Sequence, residues 1–318
     1  MRLAEGIAAT VIALPFGIGV VAVASGDTPT PAFEFTDPAV VESSGLAVAD
    51  GLVVTVNDSG DEARVFTVDP TSGETVGVTR WGAEATDIEA LAPAGDDEVW
   101  VGDIGDNPAA RDTISVTRVP VGPGDRTVEA TTYELRYPHG AADAEALLAH
   151  PTTGRLYVVT KGVFGGVVHV APAELRSDVV NPLRPIGRVM PIVTDGAFLP
   201  DGEHVVLRDY GRAVVYEFPS LEAVGEVVLP EQQQGEGIAA LATDRVLVSS
   251  EGQRSPAYEV TLPGLADDEP STTPSTRSRE GEELPQQPAG DRDPTQWWWG
   301  VGLAVVAVGV LLRALRPR

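Results

Sequence analysis

The chain is predicted to fold as an all-β, five-bladed β-propeller, on three observations. A short acidic signature recurs five times, at intervals of about 41 to 56 residues, which is the spacing of β-units in a ring. Each unit then offers short alternating segments separated by turn residues, up to four per unit. A lone alternating segment, Ala32-Phe33-Glu34-Phe35, precedes the first unit, and the last unit is one strand short.

The signatures are Glu42-Ser43-Ser44-Gly45-Leu46, Asp87-Ile88-Glu89-Ala90-Leu91 and Asp143-Ala144-Glu145-Ala146-Leu147, followed by Thr194-Asp195-Gly196-Ala197 and Gln234-Gly235-Glu236-Gly237-Ile238. In the first unit the strands are expected at Leu46–Val48, Leu52–Val56, Val65–Val68 and Thr75–Thr79, with Ala49-Asp50-Gly51 as a tight hairpin turn. The second unit offers Leu91, Glu98–Gly102, Thr113–Val119 and Thr131–Tyr137. The third offers Leu147–Ala149, Arg155–Thr160, Val167–Val170 and Arg184–Met190. The fourth offers Ala197–Leu199, His204–Leu207, Ala213–Phe218 and Ala223–Leu229. The fifth has Ile238–Leu241, Arg245–Ser249 and Ala257–Leu262, so residues 32–35 are expected to pair with its last strand and close the ring. Six blades would require splitting the long second or third unit, and a β-sandwich would not impose the five-fold register.

The propeller is expected over residues 32–264, with different material on either side. Residues 1–25 read as an export signal, with Arg2, an apolar run to Ala24 and a small-x-small pattern at Ala22-Val23-Ala24, or alternatively as an uncleaved signal anchor. Residues 265–296 are rich in Pro, Ser, Thr and acids without apolar periodicity, and read as a disordered stalk. Trp297-Trp298-Trp299 opens an apolar run to Leu315, close to the length of one bilayer crossing, and Arg313, Arg316 and Arg318 lie at its far end. The expected topology is a single-pass protein of the cell membrane: propeller on the extracytoplasmic side, transmembrane helix over 297–315, cytoplasmic tail at 316–318.

The net charge of −25, with Lys161 as the one lysine, argues against nucleic acid as a partner. The absence of cysteine rules out disulfides and thiolate metal sites. The Gly-x-Ser-x-Gly, His-Glu-x-x-His and phosphate-loop patterns are absent, and the four histidines are scattered.

Chemistry is expected where the acids gather. In a propeller the start of strand one and the end of strand two share a rim. Strand-one starts carry Ser44, Glu89, Glu145, Asp195 and Glu236, and strand-two ends carry Asp58, Asp103, Lys161, Asp209 and Glu251. Asp87 and Asp143 stand two residues before Glu89 and Glu145, on the same face of the strand. Carboxylates crowded at one mouth repel one another unless a cation neutralises them, and Ca²⁺ takes six to eight such oxygens. The candidate metal ligands are Asp87, Glu89, Asp103, Asp143, Glu145, Asp195 and Glu236, with Asn57 and Asn107 as neutral donors. Asp58, Asp61 and Asp106 also read as turn formers. Lys161, Arg208 and Arg212 fall in the same loops and are candidate contacts for an anionic ligand, unless each arginine pairs with a neighbouring acid.

Asn57-Asp58-Ser59-Gly60-Asp61, Gly102-Asp103-Ile104-Gly105-Asp106-Asn107, Asp143-Ala144-Glu145-Ala146-Leu147, Val158-Val159-Thr160-Lys161 and Thr194-Asp195-Gly196-Ala197-Phe198 carry a resemblance. Over residues 38–262 the chain resembles exported bacterial propeller proteins of the phytase-like, WD40-like group labelled "esterase-like activity of phytase". The resemblance implies a propeller, and a Ca²⁺-dependent phosphomonoesterase with acids on the metal and Lys or Arg on phosphate. A single lysine departs from a phosphate-gripping basic cluster, although arginine can substitute. Two functional expectations follow. One is a tethered module that binds a divalent cation and a ligand or partner at its acidic mouth. The other is a metal-dependent phosphoesterase using the same face.

Overall fold

The computed structural model describes residues 30–265, except Ser59 and Ala83. The expected export segment (1–25), the stalk beyond Leu265, the transmembrane helix (297–315) and the tail (316–318) lie outside the described residues. Among the described residues, no helix is long and apolar enough to cross a membrane.

Five sheets follow one another along the chain. A short strand β1 (Phe33–Glu34) comes first, then blade one with β2 (Ser43–Ala49), β3 (Leu52–Asn57), β4 (Arg64–Val68) and β5 (Thr75–Trp81). The blade-two segment runs through β6 (Ile88–Pro93), β7 (Glu98–Asp103) and β8 (Ile114–Pro120), then β9 (Arg126–Val128) and β10 (Thr131–Arg136). The blade-three segment runs through β11 (Ala144–Ala149), β12 (Leu156–Thr160), β13 (Val167–Val170), β14 (Asn181–Pro182) and β15 (Arg184–Arg188). Blade four has β16 (Asp195–Phe198), β17 (His204–Arg208), β18 (Arg212–Glu217) and β19 (Glu222–Val228). Blade five has β20 (Gly235–Ala242), β21 (Arg245–Ser250) and β22 (Pro256–Thr261). The fold is therefore an all-β, five-bladed propeller.

Local chemistry sets the hairpins. Asp50 and Gly51 both take positive φ, 48° and 73°, as the tight turn between β2 and β3 requires. The ring closes as the pattern of residues 32–35 suggested: β1 pairs antiparallel with β22, Phe33 opposite Ala257 and Glu34 opposite Pro256. Phe35 is fully buried, and its ring meets that of Phe33 edge-on at 5.3 Å. Burying one such side chain contributes about 1.5–3 kcal/mol, which anchors a strand too short to hold by its ladder alone.

Two strands were not visible in the alternation. β9, from the blade-two segment, adds parallel to β5 of blade one, with Thr79 opposite Arg126. β14, from the blade-three segment, adds parallel to β10 of blade two. Each covers an outer sheet edge and ties one blade to its neighbour. The apolar core is divided in the same way. Five separate clusters of buried side chains lie one at each blade junction, such as Val65 and Trp81 with Ile88 and Val99, or Phe33 and Phe66 with Leu247. The ring is held at its joints, which leaves the axis free to carry other chemistry.

Candidate functional site

The signature residues owe their position to a break in the pleat. In β2, β6, β11 and β20 the register shifts at the start of the strand, between Ser43 and Leu46, Ile88 and Ala90, Ala144 and Ala146, and Gly235 and Ile238. The residues inserted are Ser44, Glu89, Glu145 and Glu236, with a glycine after the first and last. A β-bulge re-aims its side chain out of the ordinary alternation. This is why the inner strands begin earlier than the apolar alternation implied.

β16 has no such shift: Asp195 lies directly opposite Arg208. Its fate differs accordingly. Asp195 is fully buried and accepts N–H bonds from Gly196 (2.7 Å) and from Ile238 of blade five (2.8 Å). Burial holds its carboxyl well above the usual range, against the pull of those bonds and of Arg208. Arg208 is also fully buried. It donates to the carbonyls of Gly237 (2.9 Å), Ser249 (3.1 Å) and Asp209 (3.1 Å), and to Gln232 Oε1 (3.1 Å). Burial lowers its pKa to about 10, with Asp195 and Glu236 opposing. Asp195 and Arg208 thus stitch blade four to blade five.

The other bulge acids are buried near the axis. Glu89, only 3% exposed, accepts a bond from Ser44 Oγ at 3.0 Å. Burial, then the charges of Glu145, Asp58 and Asp87, push it up to about 10. Glu145 is pushed up to about 7 by burial, with Lys161 opposing: Lys161 Nζ lies 2.7 Å from Glu145 Oε1. Burial pulls the Lys161 ammonium down, but the Glu145 carboxylate and Tyr210 outweigh it and hold the ammonium above its ordinary value. Glu236 and Glu251 share one clamp, Gln234 Nε2, at 3.0 and 2.8 Å. Burial and then Glu236 raise Glu251 to about 8.

Asp58, Asp87 and Glu89 come together: one carboxylate oxygen from each lies within 4.8 Å of the others. Burial, then Asp58 and Asp143, raise Asp87 above its ordinary value. Backbone without a side chain makes room for them. A Cβ on Gly105 would collide with Asp87 Oδ2 and come within 2.8 Å of Glu89 Oε1. Three oxygen donors carrying excess negative charge fit a hard divalent cation such as Ca²⁺ or Mg²⁺.

Of the expected metal ligands, the structure joins Asp87 and Glu89, with Glu145 close enough to raise Glu89. Asp103 instead accepts N–H bonds from Thr86 (2.9 Å) and Asp87 (3.0 Å) and pairs with Arg111 at 2.7 Å, bracing the loop beneath the cluster. Asp143 Oδ1 accepts the Asp106 N–H at 2.8 Å, and buried Asp106 in turn holds the amides of Ala110 and Arg111. Asp195 and Glu236 lie toward the blade-five side of the ring. The Asn57 side chain is engaged with Val41, Glu42, Ala39 and Asp61, and Asn107 is exposed. Asp61 forms an ion pair with Arg64 at 2.7 Å. Arg212 pairs with Asp209 (3.0 Å) and Glu226 (3.1 Å) on the outer half of blade four. Lys161 alone of the three basic candidates meets a bulge acid.

Asp58 belongs to the cluster although turn chemistry also explained its place in sequence. Its offset from Ser44 equals that of Asp103 from Glu89, and that spacing was the available signal.

No family model and no curated protein matches the chain. Among solved structures it is similar to hydrazine synthase from Kuenenia stuttgartiensis, at 14% identity and TM-score 0.38, over 73% of this chain and 58% of that one. It is also similar to a luciferin-regenerating enzyme, at 12% identity and TM-score 0.42, over 73% of this chain and 93% of that one. At these scores the five sheets themselves, and not the neighbours, establish the architecture.

Proposed function

We propose that the propeller is an extracytoplasmic binding module that takes a divalent cation, Ca²⁺ by preference, at Asp58, Asp87 and Glu89, and a ligand or partner on the same acidic mouth. The observation that supports it is the convergence of three carboxylate oxygens within 4.8 Å, in a place where burial and the charges of neighbouring acids already disfavour the ionised forms of Asp87 and Glu89. An ion would replace the proton on Glu89 and cancel the repulsion, so binding is coupled to the ring's own electrostatics. The all-oxygen donor set favours Ca²⁺ or Mg²⁺ over softer metals.

The path of the chain suits a tethered head. β1 and β22 are antiparallel, so the chain enters and leaves at the same end of blade five. That end lies with the turn at Asp244, whose carbonyl accepts the Leu262 N–H at 2.7 Å, on the rim away from the acids.

The test is calorimetric titration of the full chain with CaCl₂ after chelation, beside Asp87→Asn. One Ca²⁺ per chain in the parent, weakened about tenfold or more by the substitution, is expected from losing one of three charged ligands. Equal binding by both proteins would place the ion elsewhere.

A second reading rests on Lys161, a cation at the mouth. In a phytase-like phosphoesterase, bound metal would supply Lewis-acid chemistry, and Lys161 would hold a phosphate oxygen. Ca²⁺-dependent hydrolysis of phosphate monoesters by the full chain, lost in Lys161→Met with Ca²⁺ binding retained, would establish it.

A further inference from the structure

The two ends of the propeller axis differ in chemistry. The acids stand at the starts of the inner strands. A cavity of about 490 Å³ opens at the other ends of the same strands, and its wall includes none of Ser44, Glu89, Glu145, Asp195 or Glu236. Leu46, Leu91 and Leu147, each at most 1% exposed, line it one turn of the pleat below the bulges and close the channel beneath the acids. Past them the wall is mostly alanine and proline with Phe198 and Trp100, and it also carries Asp96, Arg118 and His150.

The lining side chains are mostly apolar while backbone polar groups also reach the wall, so a molecule with an apolar body and a weakly polar group finds partners there. The volume lies within the span of small-molecule sites, about 300–1,000 Å³. Arg118 and His150 already have partners within the fold. Arg118 is paired with Glu98 and donates to the Ala94 carbonyl at 3.0 Å, and His150 Nδ1 accepts the Thr152 N–H at 3.2 Å. The wall therefore does not call for a highly charged ligand.

We infer that this cavity is a second binding site, for an uncharged or weakly polar hydrophobic small molecule with a ring or short acyl body. The leucine closure separates it from the acidic mouth, so its occupancy does not require metal.

The cysteine-free chain permits a direct test. The full chain, with chelator present, is titrated with the neutral probe N-phenyl-1-naphthylamine and followed by probe fluorescence. A saturable rise with one site per chain is expected. Ala197→Trp, which fills the wall, should weaken it about tenfold, and Val228→Trp on the exposed outer strand of blade four should not. In parallel, single Ala197→Cys and Val228→Cys variants are labelled with N-ethylmaleimide. The probe should slow labelling at position 197 by about fivefold or more and leave position 228 unchanged. Unsaturable fluorescence, equal binding by Ala197→Trp, or equal labelling rates at position 197 with and without probe would overturn the inference. Should the Trp variant fail to fold, the labelling comparison decides alone.

Discussion

Lys161 Nζ lies 2.7 Å from Glu145 Oε1 and joins the end of one strand of blade three to the bulge of the next strand inward. Glu145 is 2% exposed, so its carboxylate depends on that ammonium. Lys161→Met should cost about 3 kcal/mol, the range for a buried charge stripped of its partner. Adding Glu145→Gln should recover most of the loss. Urea unfolding of the parent and the two variants at pH 7 checks this, and a single variant as stable as the parent would show the pair to be idle.

Folding raises the pKa of Glu89 to about 10, of Glu251 to about 8 and of Glu145 to about 7, from an ordinary value of 4.5. The folded chain then binds more protons than the unfolded one. The stability these groups give is complete below their ordinary value and is lost as pH rises toward the folded values. Without metal, the melting temperature should fall steadily from about pH 5 to pH 9, with Glu89 responsible for the upper part of the slope. Glu89→Gln, which mimics the protonated side chain, should flatten that part. Ca²⁺ should flatten it in the parent and leave the already flattened profile of the variant unchanged. Thermal melts across pH with and without chelator read all three outcomes.

The Gly105→Ala substitution adds one methyl group where Asp87 and Glu89 crowd against backbone. It should weaken Ca²⁺ binding about tenfold while leaving the circular dichroism spectrum of the sheets unchanged, since Gly105 lies outside the strands. Unaltered calorimetric binding would show that the carboxylates shift aside at no cost to the site.

Arg208→Met leaves the carbonyls of Gly237 and Ser249 without their buried donor and removes the cation beside Asp195. A loss of about 3–5 kcal/mol is expected, by the same physics as a broken buried pair. Arg212→Met, which cuts only half-exposed contacts, should cost under about 1 kcal/mol. Parallel denaturant titrations separate the two arginines.

The blades were legible because alternation and turn residues are local signals: Asp50-Gly51 announces a hairpin wherever it sits. The closing strand was legible because Phe33 and Phe35 alternate with polar residues and had no partner nearby. β9 and β14 were not, since two or three residues paired in parallel with a distant strand carry no period of their own. The site was half legible. Spacing located Asp87 and Glu89, but Asp103, with the same composition around it, is spent on backbone amides. Arg208 shows the limit. In sequence it is a charge beside Asp209. Its burial depends on β17 pairing in register with an unbulged β16, which only the assembled sheet determines.

The closing ladder also fixes how the propeller responds to force. Its first and last strands are neighbours, paired through two residues, and they lead away from the same end of blade five. Tension between the chain's two ends would peel that ladder one bond at a time instead of shearing it. A pulled propeller would therefore yield first at Phe33 and Ala257, with blade five and the inner strand of blade one next in line on either side of the opened seam.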